Sequence, residues 1–386
     1  MARGVAILGS TGSIGRSALD VIDGLAGAYR VVALVAGSGW ELLAQQAERY
    51  RPAVVGLADT EHVGDLRAAL GSAAEVLAGP RALENVAAHP DADVVINAVV
   101  GAAGLPATVA AAEAGKTIAL ANKESMVAAG AIIMPIVRRS GSSLLPIDSE
   151  HSAVFQALRS GHRAEVRKIY LTASGGPFRS WSAERMAAAT LEDALNHPTW
   201  DMGRKITVDS ATMMNKALEI VEAHWLFDIS PDDIEVVVHP ESIVHGMVEF
   251  CDGSLIAQLG APDMRTPIQY ALTYPYRKPC CSRWLDLAGM GQLTLERPDP
   301  QRFPALDLGY QAARRGGTAG AVLNAANEAA VEEFCEGRLA FTDITRISAE
   351  VLNKHETIEA PTLQDVMAAD RWARNEVSAC LRTIQS

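Results

Sequence analysis

Short apolar runs alternate with amphipathic helical stretches through the first 150 residues, and this alternation narrows the fold more than any other feature of the chain. Residues 5–8, 31–35, 53–57, 94–98, 117–121 and 143–147 read as strands, with helices over 17–25, 41–50 and 105–114 between them. Nearly continuous apolar strands separated by helices predict a parallel sheet covered on both faces.

The pattern changes after Glu150. A helix over 152–160 leads to a strand over 168–172 and a Gly/Pro-rich loop at 174–177. A polar segment (196–205) and a helix from about 211 to 227 follow. Strand-like runs over 235–239, 243–250 and 254–259 come next, the last two joined by Cys251-Asp252-Gly253, a hairpin signal. Residues 275–305, rich in Pro, Arg and Gly, read as a connecting arm, and Ala-rich helical patterns run from Leu308 onward.

At 386 residues the chain exceeds one ordinary core, and 49% hydrophobic with 21% charged residues is a globular composition. A net charge of −12 argues against nucleic acid or an anionic membrane as the main partner. It leaves room for a phosphorylated small molecule held in a local basic site. Five cysteines, two of them adjacent, match neither a disulfide framework nor a repeated metal-ligand spacing. With no leader pattern and no apolar run long enough to span a bilayer, the expectation is a cytoplasmic protein with no membrane partner.

Three motifs carry chemistry. GSTGSIG at 9–15 follows the first strand and opens a helix, so Gly9, Gly12 and Gly15 permit a tight turn and bring a helix N-terminus to a pyrophosphate. Its spacing is GxxGxxG, a variant of the GxGxxG fingerprint; a ligand-free Gly-rich turn is the bland alternative. After the second strand no acidic residue precedes Glu41 to bind a ribose 2′-hydroxyl, which favours NADPH, with Ser38 and backbone amides near the extra phosphate.

Asp148-Ser149-Glu150 ends the last strand of the first region. Alternate residues of an extended segment point to one side, so both carboxylates converge on a hard divalent ion such as Mg²⁺ or Mn²⁺. A solvated loop is the alternative. Residues 209–219 (DSATMMNKALE) open a helix with Asp209 or Ser210 as N-cap. Asn215, Lys216 and Glu219 share one flank, and Met214, Leu218, Val221 and Trp225 form the apolar stripe. Glu219 would complete a three-carboxylate set, whereas an ordinary Lys/Glu surface pair is the plainer reading.

With these motifs, the stretches ANKES (121–125), TASGGPF (172–178), HPTWDMGRK (197–205), HPESIVH (239–245), PDMRTP (262–267) and LNAANE (323–328) make the chain resemble the deoxyxylulose phosphate reductoisomerases over nearly its whole length. The resemblance implies that Thr11, Gly12, Ser13 and Ile14 contact the NADPH phosphates, with Gly37, Ser38, Asn122, Glu124 and Gly203 lining the rest of that site. Asp148, Glu150 and Glu219 correspond to the metal ligands. Lys123, Ser149, Glu150, Ser174, His197, Ser210, Asn215, Lys216 and Glu219 correspond to substrate contacts, with Ser174, Ser210, Asn215 and Lys216 around the sugar phosphate. Lys123, Glu150 and His197 are the expected catalytic residues, and 196–205 is the expected flap. The family often has Lys-Asn where Ser38-Gly39 follows Gly37 here.

The expected fold class is therefore α/β: an N-terminal Rossmann-like parallel sheet, a central α+β catalytic domain and a C-terminal helical domain. Its expected divisions are 1–149 for NADPH, 150–280 for metal, substrate and catalysis, 281–307 as arm and 308–386 as helices. The implied activity converts 1-deoxy-D-xylulose 5-phosphate to 2-C-methyl-D-erythritol 4-phosphate in non-mevalonate isoprenoid synthesis. The alternative is an NADP-dependent dehydrogenase of another phosphorylated sugar. A semialdehyde-type dehydrogenase needs a nucleophilic cysteine, and no cysteine precedes Cys251. Apolar surface in 235–259 and in the arm points to a homodimer.

Overall fold

Five of the six residues of β1 (Arg3–Leu8) are buried, as a central strand of a covered parallel sheet requires. The computed structural model describes residues 2–200 and 202–385, the side chains of 384 and 385 excepted. These fall into two compact units. The first runs to Ser125 and takes in Ile133–Ser152 and Asp263–Arg283; the second comprises Met126–Ile132, Ala153–Pro262 and the chain from Trp284 onward.

After β1 the chain forms α1 (Ser13–Gly24), β2 (Tyr29–Ala36), α2 (Trp40–Tyr50), β3 (Val54–Leu57), α3 (Val63–Leu70), β4 (Glu75–Ala78) and α4 (Arg81–Ala87). Then come β5 (Val94–Asn97), α5 (Leu105–Glu113), β6 (Thr117–Leu120), α6 (Lys123–Ser140), β7 (Ser143–Pro146) and α7 (Ser149–Ala157). The remaining elements are β8 (Val166–Ala173), α8 (Ala183–Ala187), α9 (Leu191–Leu195), α10 (Arg204–Thr212), α11 (Met214–Phe227), β9 (Ile234–Val238), β10 (Val244–Phe250) and β11 (Leu255–Leu259). Six further helices follow: α12 (Arg265–Thr273), α13 (Leu287–Met290), α14 (Ala305–Arg315), α15 (Ala319–Cys335), α16 (Phe341–Lys354) and α17 (Leu363–Gln385).

In the first unit, seven strands form one sheet in the order β4-β3-β2-β1-β5-β6-β7, with every neighbouring pair parallel. The winding reverses between β1 and β5, and the carboxyl ends of strands at such a switch point are where α/β sheets bind ligands. All six expected strands are present. β4 is an addition: its residues are half-buried or exposed, so it lacks the apolar run that marks the others. The distant α12 belongs to this unit, and Tyr29 Oη donates to the Leu272 carbonyl at 2.5 Å.

The second unit holds a four-stranded sheet in the order β11-β10-β8-β9. β10 and β11 pair antiparallel across the Cys251-Asp252-Gly253 turn, as the sequence predicts, while β8 and β9 pair parallel. Ile169, Leu171 and Ala173 of β8 share one buried core with α11, α14, α15 and α16. The expected helix beginning near 211 is instead two helices, α10 and α11, broken at Met213 in left-handed conformation (φ 63°). Asp209 and Ser210 accordingly lie inside α10 and do not cap a helix. Glycine and asparagine are the residues expected at such a break, so a methionine there hides it.

Phe178, in the loop after β8, is fully buried, with its ring 4.5 Å from that of Trp181 and 4.8 Å edge-on from that of Phe341 in α16. Replacing Phe178 with Ala should cost about 3–5 kcal/mol of folding stability. Urea unfolding followed by circular dichroism measures this; an unchanged midpoint would mean that the loop does not depend on the helical core.

Candidate active site

In the first unit, the turn after β1 is built from close backbone approaches. Gly9 has φ +83°, and a Cβ there would lie 2.6 Å from the Ala98 carbonyl oxygen. At Gly15 a Cβ would stand 2.3 Å from the Gly9 oxygen, so both positions require glycine. Gly12 differs, because a Cβ there would meet only the Gly9 oxygen, at 3.4 Å. It is the N-cap of α1, and no side chain caps that helix. The first N–H groups of α1, at Ser13 and Ile14, thus have no capping side chain, a fit for phosphate oxygens.

The loop after β2 adjoins this turn. Gly9 and Ser10 both donate to the Val35 carbonyl, at 2.8 and 2.9 Å, and an ideal Cβ at Gly39 would lie 3.5 Å from Thr11 Oγ1. Gly37 and Ser38 are exposed beside it. At the end of β6, the Asn122 side chain accepts from the Ser125 N–H and so caps α6. Its amide also donates to the Val99 and Gly101 carbonyls, at 2.7 and 2.8 Å, and stands 3.3 Å from Glu124. Lys123, the first residue of α6, forms a buried ion pair with Asp148.

The two carboxylates after β7 are not on an extended segment. The Asp148 carbonyl accepts the Ser152 N–H at 2.8 Å, so the chain has already turned and Glu150 lies in the first turn of α7. Ser149 Oγ donates to Glu150 Oε2 at 2.5 Å. His151, to which the sequence reading gave no role, is fully buried with Nδ1 3.7 Å from Asp148 Oδ1. The DSEHS stretch contains it, but spacing alone does not single it out.

In the second unit, α11 presents Asn215, Lys216 and Glu219 on one flank. Asn215 Nδ2 donates to Glu219 Oε1 at 2.6 Å, and Lys216 pairs with Oε2 of the same carboxylate. Lys216 and Glu219 are almost wholly buried, which excludes the surface-pair reading. Met214, Leu218 and Val221 are core residues and Trp225 packs against that core. The Ser210 backbone lies under Gly176, where a Cβ would sit 2.4 Å from the Ser210 oxygen.

Ser174, after β8, meets His197: Oγ and Nε2 are 3.0 Å apart. Nδ1 of the same ring accepts the Thr199 and Trp200 N–H groups, at 3.1 and 2.9 Å. An acceptor Nδ1 leaves the proton on Nε2, so the neutral ring donates to Ser174, and burial holds the imidazole pKa below its usual value. The segment around His197 is a loop that ends at Gly203, the N-cap of α10. Arg204 and Lys205, expected in the flap, are helical instead, and Asp201 lies outside the described residues.

A glycine turn at the switch point of a parallel sheet, with an uncapped helix end and no acid after β2, defines a nicotinamide-dependent oxidoreductase. Residues 5–130 match the family described as 1-deoxy-D-xylulose 5-phosphate reductoisomerase; 144–227 match the C-terminal domain of that enzyme, and 259–376 match the DXP reductoisomerase C-terminal domain. The reductoisomerase of Symbiobacterium thermophilum is 53% identical over 97% of this chain and 98% of its own, and that of Aromatoleum aromaticum 53% over 96% and 94%. The Zymomonas mobilis enzyme solved with NADPH is 45% identical, with TM-score 0.93 over 99% of both chains. A further reductoisomerase, solved with NADPH, fosmidomycin and magnesium, has TM-score 0.95 and 39% identity over 100% of this chain and 99% of its own. The chain belongs to the 1-deoxy-D-xylulose 5-phosphate reductoisomerase family.

Nitrogen-detected NMR should find His197 as the Nε2–H tautomer, titrating below 6.5. Because its folded pKa is lowered, the stability that the ring lends the loop is present at neutral pH and lost as pH falls through that value. Protonation would set an Nδ1–H against the Thr199 and Trp200 N–H groups. A midpoint above 6.5 would contradict the assignment.

Proposed function

We propose that the chain converts 1-deoxy-D-xylulose 5-phosphate to 2-C-methyl-D-erythritol 4-phosphate, with NADPH as reductant and Mg²⁺ or Mn²⁺ as the required ion. The observation that carries this reading is the match to reductoisomerases over nearly the whole chain. A dehydrogenase of some other phosphorylated sugar would leave that match unexplained. The working division is NADPH binding in 1–149, metal, substrate and chemistry in 150–280, an arm over 281–307 and helices over 308–386. No helix among the described residues is long and apolar enough to cross a membrane, and we place the enzyme in the cytoplasm, where its five thiols would stay reduced.

Thr11, Gly12, Ser13 and Ile14 would receive the pyrophosphate at the open end of α1, with Gly37 and Ser38 at the adenosine ribose, and Asn122, Glu124 and Gly203 along the rest of the dinucleotide. The metal ligands would be Asp148, Glu150 and Glu219, which offer only carboxylate oxygens, the donors a hard divalent ion prefers. Bound, that ion supplies Lewis-acid polarisation of the substrate's carbonyl and hydroxyl oxygens, and NADPH supplies the hydride.

Lys123 orients those oxygens, and Ser149 holds the carboxylate of Glu150, the group we assign to proton movement at the substrate hydroxyl. Ser174, Ser210, Asn215 and Lys216 grip the sugar phosphate. His197 contributes its Nε2–H from the loop, and Trp200 covers the site against water during reduction of the rearranged aldehyde.

Oxidation of NADPH followed at 37 °C or below with deoxyxylulose phosphate and Mn²⁺ tests the reading directly. Glu219→Gln should lower turnover at least about 100-fold, the scale of single electrostatic contacts to a transition state, with circular dichroism unchanged. Full turnover in excess chelator would exclude the metal role.

We also propose a homodimer. β11 is an edge strand whose Leu255, Ile256 and Leu259 are exposed, and Trp284, Leu287 and Leu295 of the same unit are exposed as well. Such an edge is a pairing surface. Light scattering at micromolar concentration should return twice the 40.9 kDa chain mass, and a monomer would contradict the assembly.

A further inference from the structure

We infer that Asn327 is a positioning residue for this reaction: through Asp209 it fixes α10, and so sets Ser210 and the hinge of the loop that carries His197. The inference rests on the site reading above.

Asp209 is a carboxylate in mid-helix with 1% exposure, a costly placement unless it is paired. Two groups meet it. Lys205, one turn earlier in α10, holds Oδ2 at 2.8 Å, and Asn327 Nδ2 of α15 donates to Oδ1 at 2.7 Å. Asn327 is itself fully buried in the Ala-rich α15, and its own amide oxygen has no hydrogen-bond partner among the described residues. A leucine would fill such a position at lower cost. A polar side chain kept there with one bond made and one bond missing is set for register, the best-attested use of buried polar pairs.

The register matters because of what α10 carries. It starts at Gly203, directly after the loop of His197 and Trp200, and Lys205 stands in its first turn. It ends at the left-handed Met213, and Asn215 and Lys216 open the next helix. Ser210 is adjacent to the clamped Asp209, and its backbone is pressed against Gly176 in the loop of Ser174. A shift of α10 along its axis would therefore move Ser210 and the loop hinge together. The C-terminal helices supply none of the proposed ligands, and this bond is a polar contact from them to the helix that carries Ser210.

The test uses the full-length enzyme with Asn327→Leu, read by backbone amide hydrogen exchange and by steady-state kinetics. Loss of a hydrogen bond to a charged group predicts about tenfold faster exchange in residues 204–212 and a KM for deoxyxylulose phosphate raised about tenfold, with kcat changed less than about threefold. The dissociation constant for NADPH should not move. Asn327→Gln, which keeps an amide donor for Oδ1 of Asp209, should show smaller changes in both readouts than Asn327→Leu, an order that a simple packing defect would not give. If Asn327→Leu does not fold, Asn327→Ser takes its place with the same readouts.

Wild-type exchange in 204–212 overturns the inference, as does a loss of substrate and NADPH affinity in step with a lowered Tm. If exchange responds as expected while the wild-type enzyme shows no oxidation of NADPH with deoxyxylulose phosphate, the clamp stands and the proposed function falls.

Discussion

Burying a charge costs several kcal/mol unless an opposite charge or a donor meets it, and this chain buries charge where its chemistry is expected. Lys123 is matched to Asp148, Lys216 to Glu219, and Asp209 to Lys205 and Asn327. Lys123 and Asp148 stand at the ends of their elements, while Glu219, Asp209 and Asn327 lie inside helices. The pairs do little for stability compared with apolar side chains of the same volume. What they provide is a set of carboxylates and ammonium groups held in fixed positions at low dielectric, the condition under which electrostatic catalysis is strongest. In the second unit, apolar residues of β8 and of α11, which carries the Lys216–Glu219 pair, belong to one buried core.

The parallel sheet was legible because its strands are apolar on both faces and its turns carry glycine; six strands could be placed from residues 5–147 alone. β4 escaped because an edge strand whose residues are half-buried or exposed has no such signature. The Cys251-Asp252-Gly253 hairpin was equally plain, since its turn chemistry and its flanking apolar runs agree. The break at Met213 was not. Nothing in Ala211-Thr212-Met213-Met214 marks a left-handed residue, so Asp209 and Ser210 passed for the start of a helix, whereas α10 begins at Arg204. The same kind of error affected Asp148 and Glu150, whose two-residue spacing suits a strand equally well as the first turn of α7.

The candidate site was legible as residue types and not as contacts. Helical spacing predicted the Asn215, Lys216 and Glu219 flank, and the bonds on Glu219 follow it. No spacing rule could find Asn327 beside Asp209, because partners 118 positions apart are joined only by tertiary packing, whereas His151 lies only three residues from Asp148 and was passed over among the residues of that stretch. The resemblance to the family filled part of that gap by supplying roles for Ser174 and His197, which the fold then brought within 3.0 Å of each other.

The loop around His197 is anchored through its own histidine. Its backbone N–H groups at Thr199 and Trp200 are spent on the histidine ring, so the loop is folded about its own side chain. One bond, from Nε2 to Ser174, ties that ring to the loop after β8. A substrate phosphate that claimed the Ser174 hydroxyl would replace this bond without disturbing the ring's two backbone bonds, while Thr199 Oγ1 would still reach the Pro240 carbonyl at 3.4 Å. Gly203 closes the loop as the N-cap of α10, its carbonyl accepting the Thr207 N–H at 3.0 Å and Thr207 Oγ1 at 2.9 Å.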